Sequence, residues 1–114
     1  MTSAVQPPVV LVLTTLGGDA DAPAFARTLV DGRLAACVNI LPGVTSVYRW
    51  KGAVEQDREQ LLVIKTTADR VSALEARVRE LHPYELPEFL VVPATGGSPA
   101  YLAWVGDAVQ GRTT

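Results

Sequence analysis

Residues 35–52, AACVNILPGVTSVYRWKG, are dominated by side chains that favour β-strands. They predict one very long strand that closes in a tight turn at Lys51-Gly52, where glycine tolerates a positive φ. A second run of the same character, from about residue 54 to residue 66, predicts the returning arm. At ~3.3 Å per residue each arm would reach roughly 45 Å, against a usual strand of ~5–6 residues. The sequence therefore predicts a hairpin that extends beyond the body of a small domain.

The two arms of this hairpin differ in pattern. Pro42-Gly43 interrupts the first arm, and proline cannot donate to a strand ladder, so we expect an edge strand with a bulge there. Leu61-Leu62-Val63-Ile64 in the second arm is apolar on both faces, which is typical of a central strand.

The segment before the hairpin predicts a strand and a helix. Residues 9–15, VVLVLTT, are apolar on both faces and predict another central strand. Asp21 and Pro23 suit a helix start, and apolar residues then recur at helical spacing. We expect this helix to stop at Asp31-Gly32, with Gly32 in the left-handed conformation.

The segment after the hairpin predicts two more helices with a strand between them. Asp69 is the expected cap of the first helix, which His82-Pro83 ends. Residues 89–92, between two prolines, predict a short edge strand. Ser98-Pro99 predicts the start of the last helix.

The predicted order is β-α-β-β-α-β-α, which makes an α+β, ferredoxin-like βαββαβ fold with a C-terminal helix and an antiparallel sheet. Right-handed crossovers place the first two helices on one face of the sheet. The 114 residues suit a single domain, 1–114, with 1–8 and 110–114 expected to be flexible. The apolar residues on the other sheet face lead us to expect a second subunit as its cover.

Composition excludes several classes of protein. The net charge is −2 and no basic run occurs, so we expect no nucleic-acid partner. The longest apolar stretch, residues 9–13, is far too short to span a bilayer, and we expect no membrane partner. The absence of a signal-peptide pattern and the single cysteine favour a cytoplasmic protein. Gly-x-x-x-x-Gly-Lys and Gly-x-Ser-x-Gly patterns are missing, so we expect no enzyme and no catalytic residues.

Five segments in this order resemble the CutA family, which is named for divalent-cation tolerance. They are AACVNI (35–40), PGVTSVYRWKG (42–52), KT (65–66), HPYELPE (82–88) and YLAW (101–104). The resemblance extends over about residues 9–109. It implies a ferredoxin-like fold, a homotrimer with intertwined hairpins, and an architecture similar to the PII signalling proteins. The aromatic residues Tyr48, Trp50, Tyr101 and Trp104 are the predicted trimer-interface anchors.

The copper-binding interpretation of the CutA family uses a cysteine near the end of the first strand and two adjacent histidines at a helix end. Here the strand end is Leu13-Thr14-Thr15 and the helix end is Leu81-His82. His82 is therefore the candidate metal ligand, for copper or another divalent cation, and it can equally serve to satisfy the helix end. Cys37 is a weaker metal candidate, because a lone cysteine in such a strand is usually a small buried side chain.

The stiff segment 83–88, with Pro83 and Pro87, is interpreted either as a rigid connector into the last strand or as one wall of a cleft between subunits. The candidate cleft residues are Tyr84, Glu85 and Glu88 from this segment, with Lys65 and Glu59 from the hairpin.

The main functional hypothesis is a homotrimeric binding or regulatory module for divalent cations, with weak metal binding near His82. One alternative is a PII-like sensor of a small anionic metabolite in clefts between subunits. The other is a trimeric scaffold for a protein partner.

Overall fold

The computed structural model describes residues 6–112. Its strands and helices are β1 (Val9–Gly17), α1 (Ala22–Asp31), β2 (Cys37–Trp50), β3 (Ala53–Thr67), α2 (Val71–Leu81), β4 (Leu90–Pro93) and α3 (Pro99–Gln110), and a short 3-10 turn (Ala68–Arg70) precedes α2. The predicted βαββαβα order is confirmed.

All four strands form one antiparallel sheet in the order β2-β3-β1-β4. The predictions that β1 and β3 are central and that β2 and β4 lie at the edges are confirmed. With 14 and 15 residues, β2 and β3 are each more than twice as long as an ordinary strand of ~5–6 residues. The molecule measures 58 × 26 × 23 Å as a result.

Three residues with positive φ shape the hairpin. Lys51 and Gly52 both have positive φ, 50° and 84°, as the two central residues of a type I′ turn require. The pairing of β2 with β3 shifts between Leu41 and Val44, and Gly43 has a φ of 73° inside that shift. The bulge predicted at Pro42-Gly43 is therefore confirmed, and it bends the arm.

The two faces of the sheet are covered differently. The even-numbered side chains are buried in β1 from Val10 to Leu16 and in the inner half of β3 from Gln60 to Thr66, and helices α1 and α2 pack over Val10, Val12 and Ile64. On the other face, α3 places Val105 and Val109 against Ala36 and the adjacent Val9. The rest of this face is half-buried, at Leu11, Leu13, Leu61 and Val63.

Two predicted helix ends are wrong. Gly32 has a φ of −80°, and Arg33, with a φ of 61°, takes the positive-φ position after α1. The Arg33 N–H donates to the Val30 carbonyl and the Leu34 N–H to the Leu29 carbonyl, each at 3.0 Å, and these local bonds close the helix end. The Arg33 guanidinium also donates to the Ala108 carbonyl at 2.8 Å. Asp69 does not cap α2, because it lies in the preceding 3-10 turn and accepts a hydrogen bond from the Thr67 hydroxyl.

The segments predicted to be flexible lie partly outside the described residues, at 1–5 and 113–114. Within the rest, Gln110 is the last residue of α3, and Arg112 forms an ion pair with Asp107 at 2.7 Å. Across residues 6–112, none of the helices has both the length and the hydropathy to cross a membrane.

Candidate functional site

A cleft of about 1020 Å³ opens between the hairpin and the segment after α2. One wall comes from β2 and β3, and the opposite wall from residues 84–90. The lining residues are Thr15, Gly17, Ser46, Val47, Tyr48, Trp50, Asp57, Arg58, Glu59, Tyr84, Glu85, Leu86, Pro87, Glu88, Phe89 and Leu90. The structure thus brings four of the five candidate cleft residues together within one chain, whereas the predicted cleft lay between subunits.

The cleft lining is acidic. Four carboxylates line it, from Asp57, Glu59, Glu85 and Glu88, and among the described residues Arg58 is the one cationic side chain in the lining. Asp57 and Glu59 alternate along β3, so both face the same side of the strand. The cleft therefore carries a field that attracts cations.

The inner end of the cleft is closed by a contact between Tyr84 and Glu59. The Tyr84 hydroxyl donates to Glu59 Oε2 at 2.8 Å. Glu59 is only 7% exposed, so this bond satisfies a carboxylate that water barely reaches. Burial, together with the hydrogen bond to Glu59, raises the pKa of Tyr84 to about 12. Tyr84 therefore stays a neutral donor throughout the physiological pH range.

Glu88 shares this part of the cleft. Burial raises the pKa of the Glu88 carboxyl above its ordinary value of 4.5, and the negative charge of Glu59 adds to the increase. The two carboxylates therefore lie close enough to repel each other, and a bound cation would relieve that repulsion.

At the outer end, the hairpin turn and the opposite wall meet through an ion pair. Lys51 Nζ lies 3.4 Å from Glu85 Oε2, and Lys51 also lies 5.5 Å from the centre of the Trp50 ring. Deeper in the cleft, the Tyr48 hydroxyl donates to Asp57. That hydrogen bond is the main reason that the pKa of Tyr48 rises to about 12.

His82, the predicted metal candidate, lies behind this cleft and is 7% exposed. Its Nε2 lies 2.6 Å from the Thr15 carbonyl oxygen, and its Nδ1 accepts from the Tyr84 backbone N–H at 3.1 Å. Only its backbone N–H bonds to the helix, at the Val78 carbonyl. Metal binding by this imidazole would require the loss of one of its two partners.

Cys37 and Lys65 are not part of the cleft lining. Lys65 donates to the Asn39 side chain, and its Nζ lies 4.0 Å from Cys37 Sγ. These three residues lie at the end of the hairpin opposite its turn. Cys37 is half-exposed rather than buried as predicted. Among residues 6–112, no group of three or more His, Cys, Asp or Glu side chains is arranged to hold a metal ion.

The four predicted interface aromatics form two groups. Tyr48 and Trp50 line the cleft near the hairpin turn. Tyr101 and Trp104 lie on α3, with ring centroids 5.5 Å apart. Tyr48 and Tyr101 are 40% and 44% exposed in the single chain, so their role as interface anchors stays a prediction.

Sequence reasoning missed Asp57, Arg58 and the backbone carbonyl of Thr15. The alternation of Asp57 with Glu59 along a predicted strand was an available signal for a shared face. No sequence signal points to the Thr15 carbonyl, because 67 positions separate it from His82.

The strand order β2-β3-β1-β4, with α1 and α2 on one face of the sheet and an overlong hairpin, defines a ferredoxin-like α+β protein. Residues 10–108 match the family model described as CutA1 divalent ion tolerance protein, and the chain belongs to that family.

Relatives and solved structures support the same assignment. The chain is 47% identical to the divalent-cation tolerance protein CutA of Thermus thermophilus, over 83% of this chain and 92% of that protein. It is 52% identical to the Xenopus laevis protein CutA homolog over 83% of this chain. The crystal structure of CutA1 from Oryza sativa has a TM-score of 0.87 at 37% identity, covering 92% of this chain and 96% of that one.

This chain spans only part of the length of several relatives. It spans 63% of the Xenopus laevis protein and 49% of the Mus musculus protein CutA. The names of the relatives also give different cellular locations. The Arabidopsis thaliana protein is called chloroplastic, and the Archaeoglobus fulgidus protein is called periplasmic.

Proposed function

We propose that this chain acts as a homotrimeric module that binds a divalent cation weakly in the acidic cleft beside its hairpin. The observation that carries the proposal is the concentration of four carboxylates in one cleft, with Glu59 and Glu88 close enough to repel each other. The name of the family, which refers to tolerance of divalent ions, supports the same choice of ligand.

Exposed apolar side chains on the hairpin and on β4 support the trimer. Val47 and Val54 on the hairpin are 64% exposed, and Leu90 on the edge strand β4 is 56% exposed. Isolated exposed residues are ordinary, but a run of them on an overlong hairpin and an adjacent edge strand is typical of an assembly surface. The number of subunits, three, comes from the resemblance to CutA proteins.

The charge of the cleft favours a cation over the anionic metabolite of the PII-like alternative. Lys65, the lysine expected to attract an anion, bonds to Asn39 outside the cleft lining. Within the described chain the lining offers only the Arg58 guanidinium to an anion, against four carboxylates. Net repulsion of an anion follows from this balance.

We expect the binding to be weak and to prefer hard cations. Carboxylate oxygens suit Mg²⁺, Ca²⁺ and Mn²⁺, whereas cuprous ion prefers thiolate and thioether sulfur. Two carboxylates leave most of the coordination shell to water, as Mg²⁺ often retains it. Copper binding would then be secondary, and the proposed role is binding rather than catalysis, in the cytoplasm.

The test is a calorimetric titration of the purified protein with Mn²⁺, Ca²⁺, Zn²⁺, Cu²⁺ and a panel of nucleotides. We expect Mn²⁺ binding that is lost in the double variant Glu59→Gln/Glu88→Gln. Glu80→Gln is the matched control, because Glu80 makes an exposed pair with Arg77 on α2, outside the cleft lining.

Absence of Mn²⁺ binding in the unmodified protein would overturn the proposal, and so would two further outcomes. One is Mn²⁺ binding that the double variant leaves unchanged, which would place the cation elsewhere. The other is tight binding of a nucleotide with no cation bound, which would favour the metabolite sensor. Light scattering of the same samples tests the trimer, and a mass of one chain would contradict it.

A further inference from the structure

We propose that His82 is a positioning residue that fixes Tyr84, and through Tyr84 the carboxylate of Glu59, rather than a metal ligand. The inference rests on the proposed function only in that Glu59 is taken as a cation ligand. Its geometric part, the coupling of His82 and the nearby Tyr84 to Glu59, which lies 25 positions before Tyr84 in the sequence, stands by itself.

The two ring nitrogens of His82 hold two different parts of the chain. Nδ1 accepts from the Tyr84 N–H at 3.1 Å, so Nδ1 carries no proton. A neutral imidazole then carries its proton on Nε2, where it donates to the Thr15 carbonyl at 2.6 Å. One tautomer satisfies both contacts, and the imidazole thereby ties the end of β1 to the segment after α2.

Packing fixes the orientation of this imidazole. The Phe25 ring meets it edge-on, with centroids 6.2 Å apart and an interplanar angle of 84°. The Tyr84 ring lies on another side, with centroids 4.6 Å apart. With 7% of His82 exposed, the ring has little freedom to rotate.

The Tyr84 side chain continues the connection into the cleft. Its backbone N–H is held by His82, and its hydroxyl donates to Glu59 Oε2 at 2.8 Å. Glu59 has one oxygen committed to Tyr84, which sets the direction of the carboxylate. Groups that orient a metal ligand in this way usually matter nearly as much as the ligand itself.

The experiment compares His82→Leu, which removes both ring contacts, with His82→Gln, which keeps one donor and one acceptor. In metal-free protein, NMR follows hydrogen exchange of the Tyr84 amide. We expect about fivefold faster exchange in His82→Leu, the equivalent of one lost hydrogen bond, and recovery in His82→Gln. Unchanged exchange in a folded His82→Leu would overturn the proposal.

The second measurement is Mn²⁺ affinity of the same proteins. We expect about 10-fold weaker binding for His82→Leu and an affinity within about twofold of the unmodified protein for His82→Gln. Loss of Mn²⁺ or Zn²⁺ binding in His82→Gln, with Tyr84 exchange unchanged, would make His82 a ligand and overturn the positioning role.

The remaining measurement needs no substitution and covers the case in which His82→Leu does not fold. Nitrogen-15 spectra of the imidazole in the unmodified, metal-free protein should show the proton on Nε2, and a proton on Nδ1 would overturn the proposal. If the unmodified protein binds no Mn²⁺, the proposed function fails, while the exchange and tautomer measurements still decide the role of His82.

Discussion

The Tyr84 hydroxyl donates a 2.8 Å hydrogen bond to Glu59, 25 positions away in the sequence. This bond joins the segment after α2 to the middle of the long hairpin. It joins the two walls at the inner end of the cleft, as the ion pair of Lys51 with Glu85 joins them at the outer end.

Tyr84→Phe should destabilise the protein by about 1–2 kcal/mol, since Glu59 is 7% exposed and would lose its proton donor. The native pKa of Tyr84, about 12, lies above the ordinary 10.0. The stability that this hydroxyl contributes is therefore complete below pH 10 and is lost as the pH rises towards 12. Denaturant unfolding at pH 7 and pH 11 measures both effects.

The control for this variant is Tyr101→Phe, which removes a hydroxyl that has no hydrogen-bond partner in residues 6–112. Equal losses of stability for the two tyrosines would show that the bond to Glu59 contributes nothing.

Glu88→Gln should raise stability at neutral pH and flatten its dependence on pH. Burial and the charge of Glu59 raise the pKa of native Glu88 above 4.5. At this group the native state then binds more protons than the unfolded state, so the contribution of Glu88 to stability is greatest below pH 4.5 and is lost as the pH rises through the native pKa. Unfolding free energies across pH 4–8 test this.

Glu80→Gln serves as the comparison for Glu88→Gln, because Glu80 lies on the exposed side of α2 and its surface ion pair should contribute little. The interpretation would fail if Glu88→Gln were less stable than the unmodified protein at pH 7 and equally steep in its pH dependence.

Gly52→Ala should cost about 1 kcal/mol, because an alanine is strained at a φ of 84° even though open space surrounds the added methyl group. Gly96→Ala is the matched control. Its surroundings are equally open, and its φ lies outside the left-handed region, so we expect no loss of stability. Thermal unfolding of both variants measures the difference, and equal midpoints would contradict the turn geometry.

Trp50→Ala should weaken assembly by about 2–4 kcal/mol per copy, as the loss of a buried aromatic anchor does at an interface. Light scattering across a dilution series reports the mass. Val30→Ala, on α1, is the control, since Val30 is 39% exposed on the helix-covered side of the sheet. If Trp50→Ala keeps the mass and thermal midpoint of the unmodified protein, Trp50 is not an anchor.

The sequence alone determined the order of the elements, the central position of β1 and β3, the hairpin turn and its bulge. These follow from local properties: two-sided apolar runs, the freedom of glycine at Lys51-Gly52, and the missing donor of Pro42. Tertiary structure decided the partner of the Arg33 side chain, because the Ala108 carbonyl that accepts its hydrogen bond lies on a helix 75 positions later.

The candidate site divides in the same way. The sequence identified Glu59, Tyr84, Glu85 and Glu88 as candidates. They are titratable or hydrogen-bonding side chains, and they lie in two segments that the local sequence marks, the segment with Pro83 and Pro87 and the long hairpin. Tertiary structure alone decided that Lys65 lies outside the cleft and that both nitrogens of His82 are occupied. The physical reason is that strand register and the packing of α2 on β1 set these distances, and no local pattern encodes the meeting of residues so far apart in the chain.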